Sequence, residues 1–330
     1  MKPDSWAKAL KRYTAEWFSG GLSAIFSKEL ADQVRGIRFT IMFLLVGVTS
    51  LSAIYVAAQS IRQTVGQQGS EYVFLRLFTT GSSSLPPFIA FLSFLGPLVG
   101  LAMGFDAINA ERNRGTLSRL LSQPIYRDDV INGKFLAGIA SLAMMMFSLG
   151  LLVGGLGLLL TGIPPSAQEV VRVTLYLIVS VIYVAFWLAL SILFSVLFRQ
   201  SATSALAGIA VWLFFAVFAR LLVGLAVDAL VPAGSDATVE QALRHARWEQ
   251  TLNRLSPTVL YDEATITLLT PALRTLAPFL LEQMEGAIPG SLSTGQSLLI
   301  VWPQITALIA LTAIVFAAAY YLFLRQEVRT

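Results

Sequence analysis

The chain has 330 residues, 56% of them hydrophobic and 13% charged, with a mean hydropathy of +0.72. That balance excludes an ordinary soluble domain, and the apolar residues fall in runs long enough to cross about 30 Å of hydrocarbon. The net charge of +4 lies along the flanks of those runs, which fits membrane orientation and anionic lipid rather than nucleic acid; the lack of cysteine excludes disulfides and thiolate metal sites, and the single histidine, His245, argues against a protein-built zinc site.

Residues 1–38 are too polar for a signal peptide, having no apolar central region. Trp6, Leu10, Tyr13, Trp17 and Phe18 recur at helical spacing, as do Phe26, Leu30, Val34 and Ile37, beside Lys28, Glu29, Asp32 and Arg35. Gly20 and Gly21 separate the two stretches. A basic helix with an aromatic face is expected to lie in the headgroup region; the alternative is an amphipathic helix packed on a partner.

The first span is predicted over 39–58. Residues 59–85, rich in Gly, Ser and Gln, form an outer region with a short helix near 72–78. The second span, 86–105, carries Gly96, Gly100 and Gly104 on one face, a spacing that admits another helix closely. Packing within the chain is preferred there over a dimer seam. The third span, 135–160, repeats the pattern at Gly150 and Gly154, and its Met144–Met146 run reads as lipid-facing or core filler. A short turn leads to the fourth span, 171–198, and Arg199-Gln200-Ser201 turns directly into the fifth, 202–227. Arg220 near the end of the fifth span is expected to snorkel, with Asp228 as a nearby partner; the alternative is a substrate-facing role. Residues 228–297 hold four arginines, no lysine and eight acids, and read as helices near 240–255, 258–269 and 271–285. Leu268, Leu269, Leu273, Leu276, Phe279 and Leu280 suit a small cap or the outer leaflet. The sixth span is 298–324, with Tyr320 and Tyr321 as an aromatic belt.

Basic-residue counts orient the chain. With both termini inside, inner segments hold 15 of the 23 Lys and Arg, including all five lysines, as the positive-inside bias requires. The expected fold is therefore an all-α polytopic membrane protein with six transmembrane helices, an N-terminal interfacial helix, and a helical extracytoplasmic insertion between the fifth and sixth. The parts are a cytoplasmic amphipathic segment (1–38), five spans (39–227) with an inner loop at 106–134, the insertion (228–297), and the sixth span with its cytoplasmic tail (298–330).

The loop 106–134 is the most charged stretch between two long apolar runs. Gly115 can end a helix in the left-handed conformation, and Thr116 can cap a new one. Leu117, Leu120 and Leu121 then share a face, with Ser118 and Arg119 elsewhere, and Pro124 ends or restarts the helix. Asp106 sits at the inner headgroups and needs no buried partner. The stretch is either a solvated positive-inside loop or a docking element for a separate soluble protein.

Glu111-Arg112-Asn113-Arg114-Gly115-Thr116-Leu117, then Leu120-Leu121-Ser122-Gln123-Pro124, Arg127 and Gly133-Lys134-Phe135, resemble the first cytoplasmic loop of ABC-2 type transporter permeases. Two other stretches fit the same family: Leu255-Ser256-Pro257-Thr258-Val259-Leu260-Tyr261 and the C-terminal Leu324-Arg325-Gln326-Glu327-Val328-Arg329. Within it, the chain is most similar to the subgroup that includes the nitrous-oxide-reductase maturation permeases. The resemblance implies a permease subunit that pairs with a second permease subunit as a homodimer and works with two copies of a separate ABC ATPase. ATP and magnesium would be held by that partner, with no cofactor on this chain. Leu117, Leu120 and Leu121 would fill a groove on the ATPase, and Glu111, Arg112, Arg114, Arg119 and Arg127 would complement its charge at the rim. The location implied is the cell membrane.

The chemistry missing from the chain agrees. No G-x-x-x-x-G-K-[ST], H-E-x-x-H or G-x-S-x-G occurs, so phosphate cradling by a P-loop, zinc proteolysis and serine hydrolysis have no support. No carboxylate pair sits mid-span as proton coupling would need. The function expected is a non-enzymatic permease driven by ATP hydrolysis on another chain, with export implied by the family resemblance. A membrane scaffold or assembly factor is the alternative, and a secondary transporter a third.

Overall fold

Six apolar runs become six helices long enough to cross a membrane. The structure, a computed structural model, describes residues 20–64, 72–82, 85–116, 125–232, 238–272 and 291–326, with helices and no strand among them. In chain order these are α1 (Gly21–Arg35), α2 (Ile37–Thr64), α3 (Val73–Thr79), α4 (Phe88–Gly104), α5 (Asn109–Asn113), α6 (Arg127–Thr161) and α7 (Ala167–Leu197). There follow α8 (Ser201–Leu213), a π-helical turn (Phe214–Phe218), α9 (Ala219–Leu230), α10 (Val239–Asn253), α11 (Pro257–Leu269) and α12 (Thr294–Arg325). The long apolar helices are α2, α4 running on through α5, α6, α7, the continuous α8–α9 unit and α12.

The bundle is built around α7. Its sequence is apolar all round, which suits a helix buried on every side, and Tyr176, Tyr183 and Trp187 are fully enclosed. Ser166 and Glu169 cap its start reciprocally. The expected glycine ladder meets this helix. A Cβ on Gly96 would lie 3.1 Å from Val184, one on Gly100 only 2.6 Å from the Val184 carbonyl oxygen, and one on Gly104 2.9 Å from Ser191. The ladder is thus an intramolecular seam, where absent side chains let two backbones touch. Ser191 Oγ donates to the Leu101 carbonyl at 2.8 Å across the same seam. In α6, Gly150 faces Leu177 of α7 and Gly154 faces Phe74 of α3, while Met145 and Met146 are buried and Met144 is exposed. The helix α3 packs inward through Phe78, which meets the rings of Phe88 and Tyr176 edge-on.

Two expectations change. The first concerns the insertion. Instead of capping the bundle or resting on a leaflet, α11 enters it: Leu260, Tyr261, Ala264, Thr265, Leu268 and Leu269 are buried. Pro257 occupies the first turn, where its missing N–H costs nothing. Tyr261 stacks on Tyr183, near the middle of α7, with ring centroids 4.2 Å apart, and shares a 2.9 Å hydrogen bond with Ser180. Such depth exceeds what a surface helix can reach. Residues 273–290, including Leu273, Leu276, Phe279 and Leu280, lie outside the described residues.

The second change concerns Arg220, which pairs with Asp262 of α11 at 2.9 Å, while Asp228 faces His245 at 2.9 Å. The approach of α11 supplies a carboxylate that local sequence could not reveal. Asp106, expected to need no buried partner, bonds Arg38, itself half exposed, at 2.7 Å, joining the start of α2 to the end of α4. A further cation, Arg172 on α7, is fully buried. It donates to the carbonyls of Leu268 and Leu292 at 2.8 and 2.6 Å and to Ser297 at 3.1 Å, holding α11 and α12 to α7.

Candidate functional site: the 106–134 loop and its anchors

At the end of the bundle opposite α11, the second long helix runs past Gly104 through one loose turn into α5. Ser195 of α7 accepts the N–H groups of Ile108 and Asn109 at 2.9 and 3.2 Å, replacing the helical bonds that the loose turn gives up. Asn109 in turn accepts from Ser201 at 2.8 Å. Gly115 takes φ +67°, the left-handed conformation anticipated for the stop. The Thr116 hydroxyl donates back to the Glu111 carbonyl at 3.2 Å, closing the preceding turn, and the helix it is expected to cap lies outside the described residues. Leu117, Arg119, Leu120, Leu121 and Pro124 lie outside the described residues. The chain resumes at Ile125, and Asp129 accepts from the Tyr126 N–H at 3.3 Å as α6 begins.

The described motif residues divide into two groups. Arg114 and Thr116 are exposed with Gly115 between them. Glu111, Arg112 and Arg127 are engaged within the chain, and Arg119 lies outside the described residues. Glu111 accepts from Lys134 at 2.8 Å, and the same ammonium reaches Glu29 of α1 at 3.0 Å. Lys134 is only 5% exposed, so this is a buried bridge among α1, α5 and α6. Arg112 donates to the Gln326 side chain, Arg127 donates to the Gln326 carbonyl at 3.0 Å, and the Gln326 amide donates to the Val196 carbonyl at 2.7 Å. Asn113 donates to the Arg199 carbonyl at 2.9 Å. Both ends of the loop are therefore fastened to α1, to the α7–α8 turn and to the end of α12.

Electrostatics and packing hold α1 in place. Burial pushes the Glu29 carboxyl up, but Lys134 and Lys28 outweigh it and keep it below the ordinary 4.5. Ile25 of α1 packs where a Cβ on Gly133 would stand, 2.7 Å away, and Ser141 donates to Gln33 at 2.9 Å. Within the chain α1 packs on α6, while residues 1–19 lie outside the described residues. Sequence reasoning missed Glu29, Gln326 and Arg199 as anchors because their partners are 80 or more positions away, except that a lysine beginning an apolar run was itself a signal for a buried carboxylate.

Comparison with known proteins gives the family. The profile described as ABC-2 family transporter protein matches residues 23–328. A relative from Pseudomonas aeruginosa, "Probable ABC transporter permease protein NosY", is 32% identical over 112 residues, 34% of this chain and 36% of that protein. The protein of the same name from Stutzerimonas stutzeri is 28% identical over 140 residues, 42% of this chain and 46% of that protein. The matched stretches thus span less than half the length of either relative. With the family profile covering nearly all of the sequence and six helices able to cross a membrane, the chain belongs to the ABC-2 family of transporter proteins and is a multi-pass membrane protein.

Proposed function

We propose that this chain is the membrane subunit of an ATP-driven exporter in the cell membrane, with both termini cytoplasmic. Two copies pair with each other and with two copies of a separate ABC ATPase, which holds the ATP and magnesium. The helix expected at 116–121 enters a groove on the ATPase, its leucines supplying the buried contact, while Arg114 and Thr116 stand exposed at the entrance. This chain makes and breaks no bond.

The observation that carries the reading is the fastening of the loop. Lys134 joins it to α1 and α6, and Gln326 joins it to α7 and α12. A push on residues 116–121 then moves helix ends as rigid bodies, as a packed bundle with discrete arrangements responds. A solvated connector would need no such anchors. The test is Leu117→Asp with Leu120→Asp in the tagged chain, purified in mild detergent from its native membrane. The reading expects an ABC ATPase to accompany the parent protein near one-to-one and to be lost from the variant. Equal recovery with both, with the same ATP turnover, overturns it.

A further inference from the structure

Between α4, the π-helical turn with the start of α9, and α11 lies a cavity of about 370 Å³, within the range of small-molecule sites. Its polar floor is a short relay. Asp262 accepts from Ser93 Oγ at 2.6 Å through one carboxylate oxygen and from Arg220 at 2.9 Å through the other. Neither charge is sealed in: the side chains are 60% exposed for Arg220 and 38% for Asp262. Its wall is aromatic, with Phe94 and Trp212 in edge-to-face contact at 5.0 Å and Phe215 beside them. The helix that carries Trp212, Phe215 and Arg220 departs from α-helical geometry here, and π-turns recur at functional sites. Along this helix Phe214, Val217, Phe218 and Leu221 stand exposed, so the cavity sits beside an open apolar flank.

We propose that this cavity binds an amphipathic molecule with a zwitterionic head group. The pair carries no net charge, so a purely anionic head on Arg220 would meet Asp262, and a purely cationic head on Asp262 would meet Arg220. A head bearing both charges lies alongside the pair and satisfies each. The ammonium faces Asp262 with an aromatic wall that attracts cations, and the anion takes the guanidinium N–H groups left over from a single bond to Asp262. The apolar part of the ligand lies along Phe94, Trp212 and the open flank. The inference deepens the permease reading by naming a substrate class; it rests on that reading for transport, whereas binding stands alone.

The test uses the full chain in lipid nanodiscs without any ATPase, so its failure is separate from failure of the permease reading. Trp212 fluorescence, isolated by subtracting a Trp212→Phe variant, is quenched with brominated phosphatidylethanolamine or with brominated phosphatidylglycerol at equal mole fraction. Stronger quenching by the zwitterionic lipid is expected, with that preference lost in Asp262→Asn and in Arg220→Gln. Should one variant fail to elute as a folded protein, the other reads the same preference. Relief of quenching by soluble phosphoethanolamine shows that the head alone is recognised, and absence of relief assigns the site to the lipid; both support the proposal. Equal quenching by the two lipids, preference for phosphatidylglycerol, or a preference unchanged in the folded variants overturns it.

Discussion

Lys134→Met is the perturbation whose size follows most directly from the geometry. The ammonium is 5% exposed and sits 3.0 Å from Glu29 and 2.8 Å from Glu111. At an effective dielectric of about 20, unit charges roughly 3 Å apart attract by about 5 kcal/mol. Desolvation of the lysine offsets much of that attraction, so the net effect is better taken from measured removals of one partner in buried pairs, about 3–5 kcal/mol. Glu29 keeps Lys28 at 3.1 Å, so Glu111 bears most of the loss. Adding Glu111→Gln should therefore recover part of it, with a coupling on the order of 1–3 kcal/mol. The assay is reversible unfolding in mixed micelles titrated with dodecyl sulfate, followed by tryptophan fluorescence. A single variant within about 0.5 kcal/mol of the parent would refute the bridge as a structural anchor.

The remaining predictions are smaller. The Glu29 carboxyl titrates below 4.5 when folded, so its contribution is complete above 4.5 and disappears as pH falls through the folded value; the parent should lose stability over that acid window more steeply than Lys134→Met, and parallel curves would contradict the assignment. Gly100→Ala places a methyl 2.6 Å from a backbone oxygen and should cost about 1–3 kcal/mol in the same titration. Gly154→Ala, whose methyl meets Phe74 at an ordinary 3.5 Å, should be close to neutral, and equal effects would remove the distinction between the two glycine pairs. Arg172→Met strands the Leu268 and Leu292 carbonyls, so hydrogen exchange in α11 should rise by at least an order of magnitude, given about 1.5–3 kcal/mol for each charged hydrogen bond.

What could be read without the structure was whatever depends on local pattern. Six long apolar runs state their own number and order because a bilayer demands that length. Glycines four apart announce a close helix contact, and Gly115 announced a stop that φ +67° realises. Partners were hidden wherever the contact is long-range. Residues 257–269 look like an ordinary amphipathic segment inside an acidic, proline-broken region, and only the fold shows Tyr261 stacked on Tyr183 deep in the bundle. Arg220 had Asp228 two turns along its own helix and chose Asp262 instead, because α11 brings that carboxylate across. Arg172 passed unnoticed within a span, although a buried arginine near a span end is itself a sign of backbone carbonyls needing a donor. The charges at 106–134 suggested a surface for a partner, and Glu111, Arg112 and Arg127 prove to be joined to other parts of the same chain.

The central claim is that the 106–134 loop receives the ATPase. The chain contains no cysteine, so a single one reports a single position. Thr116→Cys and, at the far end of the bundle, Val239→Cys are both on exposed sites. Each variant would be treated in native membranes with a short bifunctional maleimide–amine cross-linker, and the products identified by mass spectrometry. The account predicts a cross-link from position 116 to an ABC ATPase chain and none from position 239. A cross-link from 239 to that ATPase, or none from 116 while the ATPase still co-purifies, would contradict it.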